Sequence, residues 1–263
     1  MGFLDGMKAK QLGARAYRTH AIALQLRQQG KYAECMEKLK EAYQLYKASY
    51  EAGFRKSNVL TSYGILSMQM GDFEQARELM LEAWKDKAMR PEDRLSLRVN
   101  FAICEWKTGK LDKAIETVRA AAQGGLNGTI YSTLGMLLVD KARQTGDFAE
   151  AMEFNKQALD YDDEDPSTID NIAQMYLFMS EREEDTEEKK HLRTLAKDNF
   201  RKAHELKADQ VTTIYYLATM EEQDGNVSEA LKLVREALQM PITAVCPVSR
   251  KELEAYEKKL AGA

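Results

Sequence analysis

The sequence predicts an all-α protein built from a repeated pair of antiparallel helices. Good helix formers such as Ala, Glu, Lys and Leu dominate the composition, and the 263 residues include only 4 Pro and 15 Gly. Apolar residues recur at helical spacing, and no run shows the alternation of a strand. In addition, the hexapeptide Gly71–Ala76 returns almost unchanged as Gly146–Ala151. Such a recurring short unit predicts a repeat architecture.

Glycines predict the turn within most helix pairs. Each stands before a polar residue and a large apolar residue, and these turn glycines are Gly30, Gly71, Gly109, Gly146 and Gly225. The first four are 41, 38 and 37 residues apart, whereas the last gap is 79 residues, about twice one repeat. We therefore expect six helix pairs, of which the fifth lacks the turn glycine.

Start and stop signals delimit the elements around these turns. Residues 1–13 predict a short amphipathic lead-in, and Pro91 opens the third pair in the position that favours a first helical turn. In the fifth pair the acidic residues 181–188 predict a lengthened turn, with Asp185 capping the next helix. In residues 241–263, Pro247 is expected to start a polar helix to about Leu260, which is typical of the cap that closes a stack.

Charge is distributed unevenly along the chain. Residues 1–131 contain 21 Lys and Arg against 15 Asp and Glu, whereas residues 132–263 contain 17 against 27. This asymmetry favours a charged partner or association between opposite halves of two copies, although drift on solvated helix faces also produces it.

Cysteine usage and hydropathy predict a soluble, cytoplasmic protein. Cys35, Cys104 and Cys246 are far apart and form no CxxC pair, which argues against a disulfide framework. The first residues contain charges throughout and no apolar signal region, and no apolar run is long enough to span a membrane. We expect no association with a membrane.

Six units along residues 14–240 resemble the tetratricopeptide repeat. In the second unit the matching residues are Leu60, Tyr63, Gly64, Gly71, Phe73, Ala76, Met80 and Ala83. The resemblance implies a right-handed superhelical solenoid of antiparallel helix pairs, closed by a C-terminal capping helix. It also implies a concave groove lined by the first helix of each pair.

The resemblance places mostly apolar residues in that groove. They are Tyr17, Leu24, Ile65, Met68, Val99, Ile103, Trp106, Met136, Val139, Leu177 and Tyr215. Apolar patches rimmed by polar groups mark binding sites, and Trp and Tyr are favoured anchors. We therefore expect a peptide or helix to bind in the groove; the alternative is that the lead-in or the capping helix of the chain itself fills it.

No motif predicts catalysis, a metal site or a cofactor. Residues 160–165 are acidic but lack the central Gly and the final Glu of a calcium loop. The three histidines have no zinc-ligand spacing with any cysteine, and no nucleotide-binding or nucleophile motif occurs. The lysine and asparagine residues with which some repeat proteins of this family hold a C-terminal carboxylate are also absent. Nucleic acid is disfavoured by the acidic C-terminal half, although the basic N-terminal half leaves this alternative open.

The leading prediction is thus a non-catalytic scaffold that binds a protein or peptide partner, as a monomer or a weak homo-oligomer. Two alternatives stay open. One is a structural protein that associates with itself by pairing its basic N-terminal and acidic C-terminal halves. The other is a peptide-sensing regulatory protein.

Overall fold

The computed structural model describes residues 3–262, and it describes side chains from residue 6 onward. Thirteen helices account for most of this part of the chain. They are α1 (Phe3–Gln28), α2 (Tyr32–Glu51), α3 (Ser57–Gln69), α4 (Phe73–Trp84), α5 (Pro91–Lys107), α6 (Leu111–Ala122), α7 (Gly128–Thr145), α8 (Ala149–Tyr161), α9 (Pro166–Arg182), α10 (Thr186–Leu206), α11 (Val211–Gln223), α12 (Val227–Gln239) and α13 (Arg250–Ala261).

Neighbouring helices pack as the repeat pattern predicts. Within pairs, α1 contacts α2, α3 contacts α4, α7 contacts α8, and α9 contacts α10. Between pairs, the second helix of one contacts the first helix of the next, as α2 does with α3 and α8 with α9. The described residues contain no strand. The predicted all-α solenoid of antiparallel helix pairs is confirmed.

The chain forms two compact units. The first comprises α1 to α5 together with residues 239–244, and the second comprises residues 111–238 and residues 245 onward. Met240 is only 4% exposed and Pro241 is buried, so the segment after α12 is packed. The sequence predicted one array over residues 14–240 and gave no sign of this division.

The turn at Gly71 shows how each pair folds back on itself. Gly71 has a φ of 84°, in the left-handed region that favours glycine. Asp72 then donates its backbone N–H to the Ser67 carbonyl at 2.9 Å, and its carboxylate accepts from the Gln75 backbone N–H at 3.0 Å. Gly71 and Asp72 thus end α3 and cap α4 at adjacent positions in the sequence. The other four predicted turn glycines also have φ values of 70° to 84°.

The fifth pair differs from its prediction. Instead of a lengthened turn over residues 181–188, α9 continues to Arg182 and α10 begins at Thr186. Asp185 caps α10 as predicted, since its carboxylate accepts from the backbone N–H groups of Glu187 and Glu188. The Glu183 carboxylate satisfies the backbone N–H groups in the short link. The residues that make the fifth pair longer than the others therefore lengthen its helices rather than its turn.

The first and last helices of the described residues are α1 and α13. Residues 3–13, predicted as a lead-in, continue without a break into α1, and Ser49 on α2 donates a hydrogen bond to the Ala9 carbonyl at 2.9 Å. At the other end α13 begins at Arg250, three residues after Pro247, and is capped by Ser249. Tyr256 on α13 donates to Glu222 on α11 at 2.8 Å. Residues 1, 2 and 263 of the two predicted segments lie outside the described residues.

Candidate partner-binding surface

In the first unit, α1, α3 and α5 are the first helices of three consecutive pairs, and they lie side by side, since α3 contacts both α1 and α5. The seven groove residues predicted in this unit are on these helices. Their exposure differs widely: Met68, Val99 and Ile103 are buried, at 3%, 4% and 8% exposure. Ile65 and Trp106 are half-buried. These five residues thus offer little surface to a partner.

The open part of this face is on α1. Tyr17 is 50% exposed and Leu24 is 49% exposed, and they lie two helical turns apart on the same stripe of the helix. Ala14 and Ala21, both exposed, continue that stripe. Met7 and Ile22 are also largely exposed, so α1 holds four of the ten large apolar side chains that are exposed in the described chain. Apolar surface is concentrated on this helix.

The second unit contains the remaining predicted groove residues. Met136 on α7 is half-buried, and Val139 on the same helix is buried. Leu177 on α9, a helix that contacts α7, is buried as well. Tyr215 on α11 is half-buried, and burial raises the pKa of its hydroxyl. In this unit too, most of the predicted residues contribute to packing.

A buried polar network joins α9 to α11. Asp170 is 3% exposed, and its two carboxylate oxygens accept hydrogen bonds of 2.7 Å from the Thr213 hydroxyl and the Gln174 amide. Burial raises the pKa of the Asp170 carboxyl to about 6. Because every partner is a neutral donor, the network orients two helices and leaves no free group for a ligand.

A recess in the first unit adds charge to the exposed stripe of α1. Its volume is about 390 Å³, and its lining residues are Lys10, Gly13, Ala14, Tyr17, Arg18, Phe54, Lys56, Asn58 and Val59. Three of these are basic and none is acidic. Tyr17 is common to the recess and to the apolar stripe, so the two features form one continuous surface.

Lys10, Arg18 and Lys56 are not among the site residues predicted from the sequence. A signal for them exists, because residues 1–60 contain 11 Lys and Arg against 5 Asp and Glu, whereas residues 61–110 contain 8 of each. All of the basic excess of the N-terminal half therefore lies in and around α1 and α2. The sequence alone does not show that residues 54–59 lie near α1, where they close the recess.

Metal-ligating side chains do not come together in the described part of the chain. No set of three His, Cys, Asp or Glu residues there could hold a metal ion. The three cysteines are buried and form no disulfide, and burial raises the pKa of the Cys104 thiol to about 12, which keeps it protonated. Among the described helices, none is both long enough and apolar enough to cross a membrane.

The sequence matches no protein-family model and no curated protein. Solved structures do match. A tetratricopeptide-repeat protein of Thermus thermophilus aligns with a TM-score of 0.52 at 17% identity, over 79% of this chain and 100% of its own. The human IFIT1 dimer with PPP-AAAA aligns with a TM-score of 0.57 at 16% identity, over 79% of this chain and 48% of its own.

Yeast Tom70 also aligns, with a TM-score of 0.52 at 16% identity, over 84% of this chain and 43% of its own. This chain thus spans the whole Thermus protein and less than half the length of IFIT1 and Tom70. Identities this low describe the fold and not the function. Together with the paired helices and the glycine turns, they show that the chain has the tetratricopeptide-repeat fold.

Proposed function

We propose that this chain is a non-catalytic scaffold that binds a protein partner on the face formed by the first helices of its repeats. The observation that carries the proposal is the exposure of Tyr17 and Leu24, at 50% and 49%, on a single stripe of α1. Exposed apolar side chains that cluster on one helix are typical of a protein interface. A helix or an extended peptide is the kind of partner that such a stripe accommodates.

The deeper groove residues have a supporting role in this proposal. Met68 on α3 and Val99 and Ile103 on α5 are buried, and these two helices contact each other. Trp106 and Met136 are half-buried, so each presents only part of its side chain. The energetic centre of the interface therefore lies on α1 and not at the middle of the predicted groove.

Affinity capture and calorimetry test this surface. We expect the double variant Tyr17→Ala/Leu24→Ala to keep its helicity, because both side chains are half exposed. Binding of a partner captured with the wild-type protein should weaken by about 2 kcal/mol or more, as it does when a binding hot spot is removed. Calorimetry with that purified partner gives the difference.

Met70→Ala/Leu206→Ala is the matched control, since Met70 and Leu206 are 45% and 42% exposed and neither belongs to α1. It should leave the affinity unchanged. Equal affinity of the wild type and the Tyr17/Leu24 variant would show that partners bind elsewhere.

The uneven charge of the chain favours one further candidate, a structural protein that associates with itself. Residues 1–131 have a basic excess of 6 and residues 132–263 an acidic excess of 10. Opposite fields of this kind attract two copies head to tail, and such a heterologous contact produces closed rings or open filaments. Such association depends on ionic strength, unlike the apolar contact proposed above.

A further inference from the structure

The basic recess beside Tyr17 has a composition that selects its ligand. Lys10 and Arg18 project from α1, Lys56 stands in the link between α2 and α3, and no carboxylate lines the space between them. Neither Lys10 nor Arg18 forms an ion pair with any side chain that the structure describes. These two cations are therefore available to an outside anion.

Of the three basic side chains, Lys56 is the least available to an outside anion, because the Asp86 carboxylate is near it. The Ser57 hydroxyl donates to the Asp86 carboxylate at 2.5 Å and lowers its pKa, the Ala88 backbone N–H adds a second bond, and Lys56 contributes by its charge. Asp86 is thus already held by other donors. The adjacent Arg55, by contrast, is paired with Glu82 at 3.0 Å and does not line the recess.

The surroundings of the recess are apolar. From Lys10, the exposed stripe of α1 continues through Ala14, Tyr17, Ala21 and Leu24, none of which is charged. Phe54 and Val59 contribute apolar surface to the recess itself. A nucleic acid gains affinity from basic side chains that follow its phosphates over many positions, whereas this recess offers three that lie close together. A short anionic group next to an apolar side chain fits it better.

We propose that this recess binds the side-chain carboxylates of an acidic peptide segment in a protein partner, with a neighbouring apolar side chain of that segment packed on Tyr17 and Leu24. The proposal rests on the scaffold function and names the chemistry of the partner. Lys10, Arg18 and Lys56 supply the charge, and Arg18 can form two parallel hydrogen bonds with one carboxylate. These positions differ from those at which related repeat proteins hold a C-terminal carboxylate.

The probe is a fluorescent peptide with the sequence of residues 159–166, which combines five carboxylates with a leucine and a tyrosine. We expect it to bind the full chain about tenfold or more tightly than a counterpart with Asn and Gln in place of Asp and Glu. Its affinity should also fall as salt is added. Fluorescence anisotropy measures both effects.

The triple variant Lys10→Gln/Arg18→Gln/Lys56→Gln should weaken binding of the acidic peptide by about tenfold or more. The control Lys31→Gln/Lys40→Gln/Lys87→Gln removes the same charge from exposed residues outside the recess and should change binding less than about twofold. Circular dichroism checks that both variants remain folded.

Three results would overturn the proposal. They are equal affinity for the neutral peptide, equal loss in the two triple variants, and displacement of the peptide by an oligonucleotide of equal charge at lower concentration. The last would indicate a phosphate-binding site. None of these would affect the scaffold function, which depends on the capture experiment with Tyr17 and Leu24.

Discussion

At the scale of single residues, Asp170 is a carboxyl group that the fold places where its charge is unfavourable. Burial raises its pKa from 3.8 to about 6, so the folded state binds the proton more tightly than the unfolded state does. The stabilisation from protonating Asp170 is present in full below about pH 4, and it is lost as the pH rises to about 6. At neutral pH the charged form is tolerated because Thr213 and Gln174 donate to it.

The variant Asp170→Asn should therefore gain stability relative to the wild type as the pH rises. Asparagine resembles the protonated acid at every pH, whereas the wild-type group becomes charged. We expect the difference in unfolding free energy to shift by about 1 kcal/mol in favour of the variant between pH 5 and pH 7. Urea unfolding at both pH values measures it.

Asp163→Asn provides the control, because Asp163 is exposed. Its stability difference from the wild type should be the same at pH 5 and pH 7. If the stability difference between Asp170→Asn and the wild type were also the same at pH 5 and pH 7, that result would contradict the raised pKa of Asp170.

The exposure of individual side chains was the property that the sequence predicted least well. The repeat register placed Leu24 and Ile103 in equivalent positions, yet one is 49% exposed and the other 8%. The register gives only the side of the helix on which a residue lies. Exposure depends in addition on which neighbours cover that side, and these belong to distant parts of the chain.

At the scale of helices, Gly135 fixes how closely α7, α8 and α9 approach one another. A Cβ atom at this position would lie 2.4 Å from the Asn155 side-chain oxygen and 2.9 Å from the Asn171 amide nitrogen. Those two side chains are themselves hydrogen-bonded at 3.1 Å, and Asn155 also donates to the Ala151 carbonyl at 2.8 Å. The glycine thus leaves room for an amide cluster that joins the three helices.

We expect Gly135→Ala to destabilise the protein by about 2 kcal/mol or more, because the added methyl group must separate the helices or break the amide cluster. Thermal or urea unfolding measures the loss. Gly6→Ala is the matched control: nothing lies within 4 Å of a Cβ there, so helix propensity should make it neutral or stabilising by up to about 1 kcal/mol. Similar effects of the two substitutions would contradict the close approach at Gly135.

Helices could be predicted from the sequence where their boundaries are set by local chemistry. A glycine such as Gly71 ends one helix and Asp72 caps the next, and both effects depend on residues a few positions away. The acidic residues 181–188 were wrongly interpreted as a lengthened turn. Their composition resembles a loop, but Asp185 and Glu183 satisfy the backbone groups at the helix ends, so most of the stretch is helical.

At the scale of the whole molecule, the uneven charge gives the self-association candidate a direct test. Sedimentation velocity in about 50 mM and about 300 mM salt should show a larger species at low salt that dissociates at high salt, because screening weakens the attraction between the basic and acidic regions. A monomer at low salt would remove this candidate. Association that persists at high salt would indicate an apolar contact instead.

The fold class was predictable because six weak repeats in register reinforce one another. The division into two compact units after Lys110 was not, and neither was the inclusion of residues 239–244 in the first unit. Both depend on contacts between segments far apart in the chain, for which a single sequence holds no local pattern. The basic recess was predictable in part. Its charge excess can be counted from the sequence, whereas its shape cannot.

The membership of residues 239–244 in the first unit has a consequence for biosynthesis. Helices α1 to α5 are made before residues 111–238, whereas residues 239–244 of the same unit are made after them. Met240 and Pro241 cannot take their buried places until residues 111–238 have been synthesised. Domains generally fold as units during synthesis, from the N-terminus onward. Here the first unit is complete only after residues 111–238 of the second unit have been made.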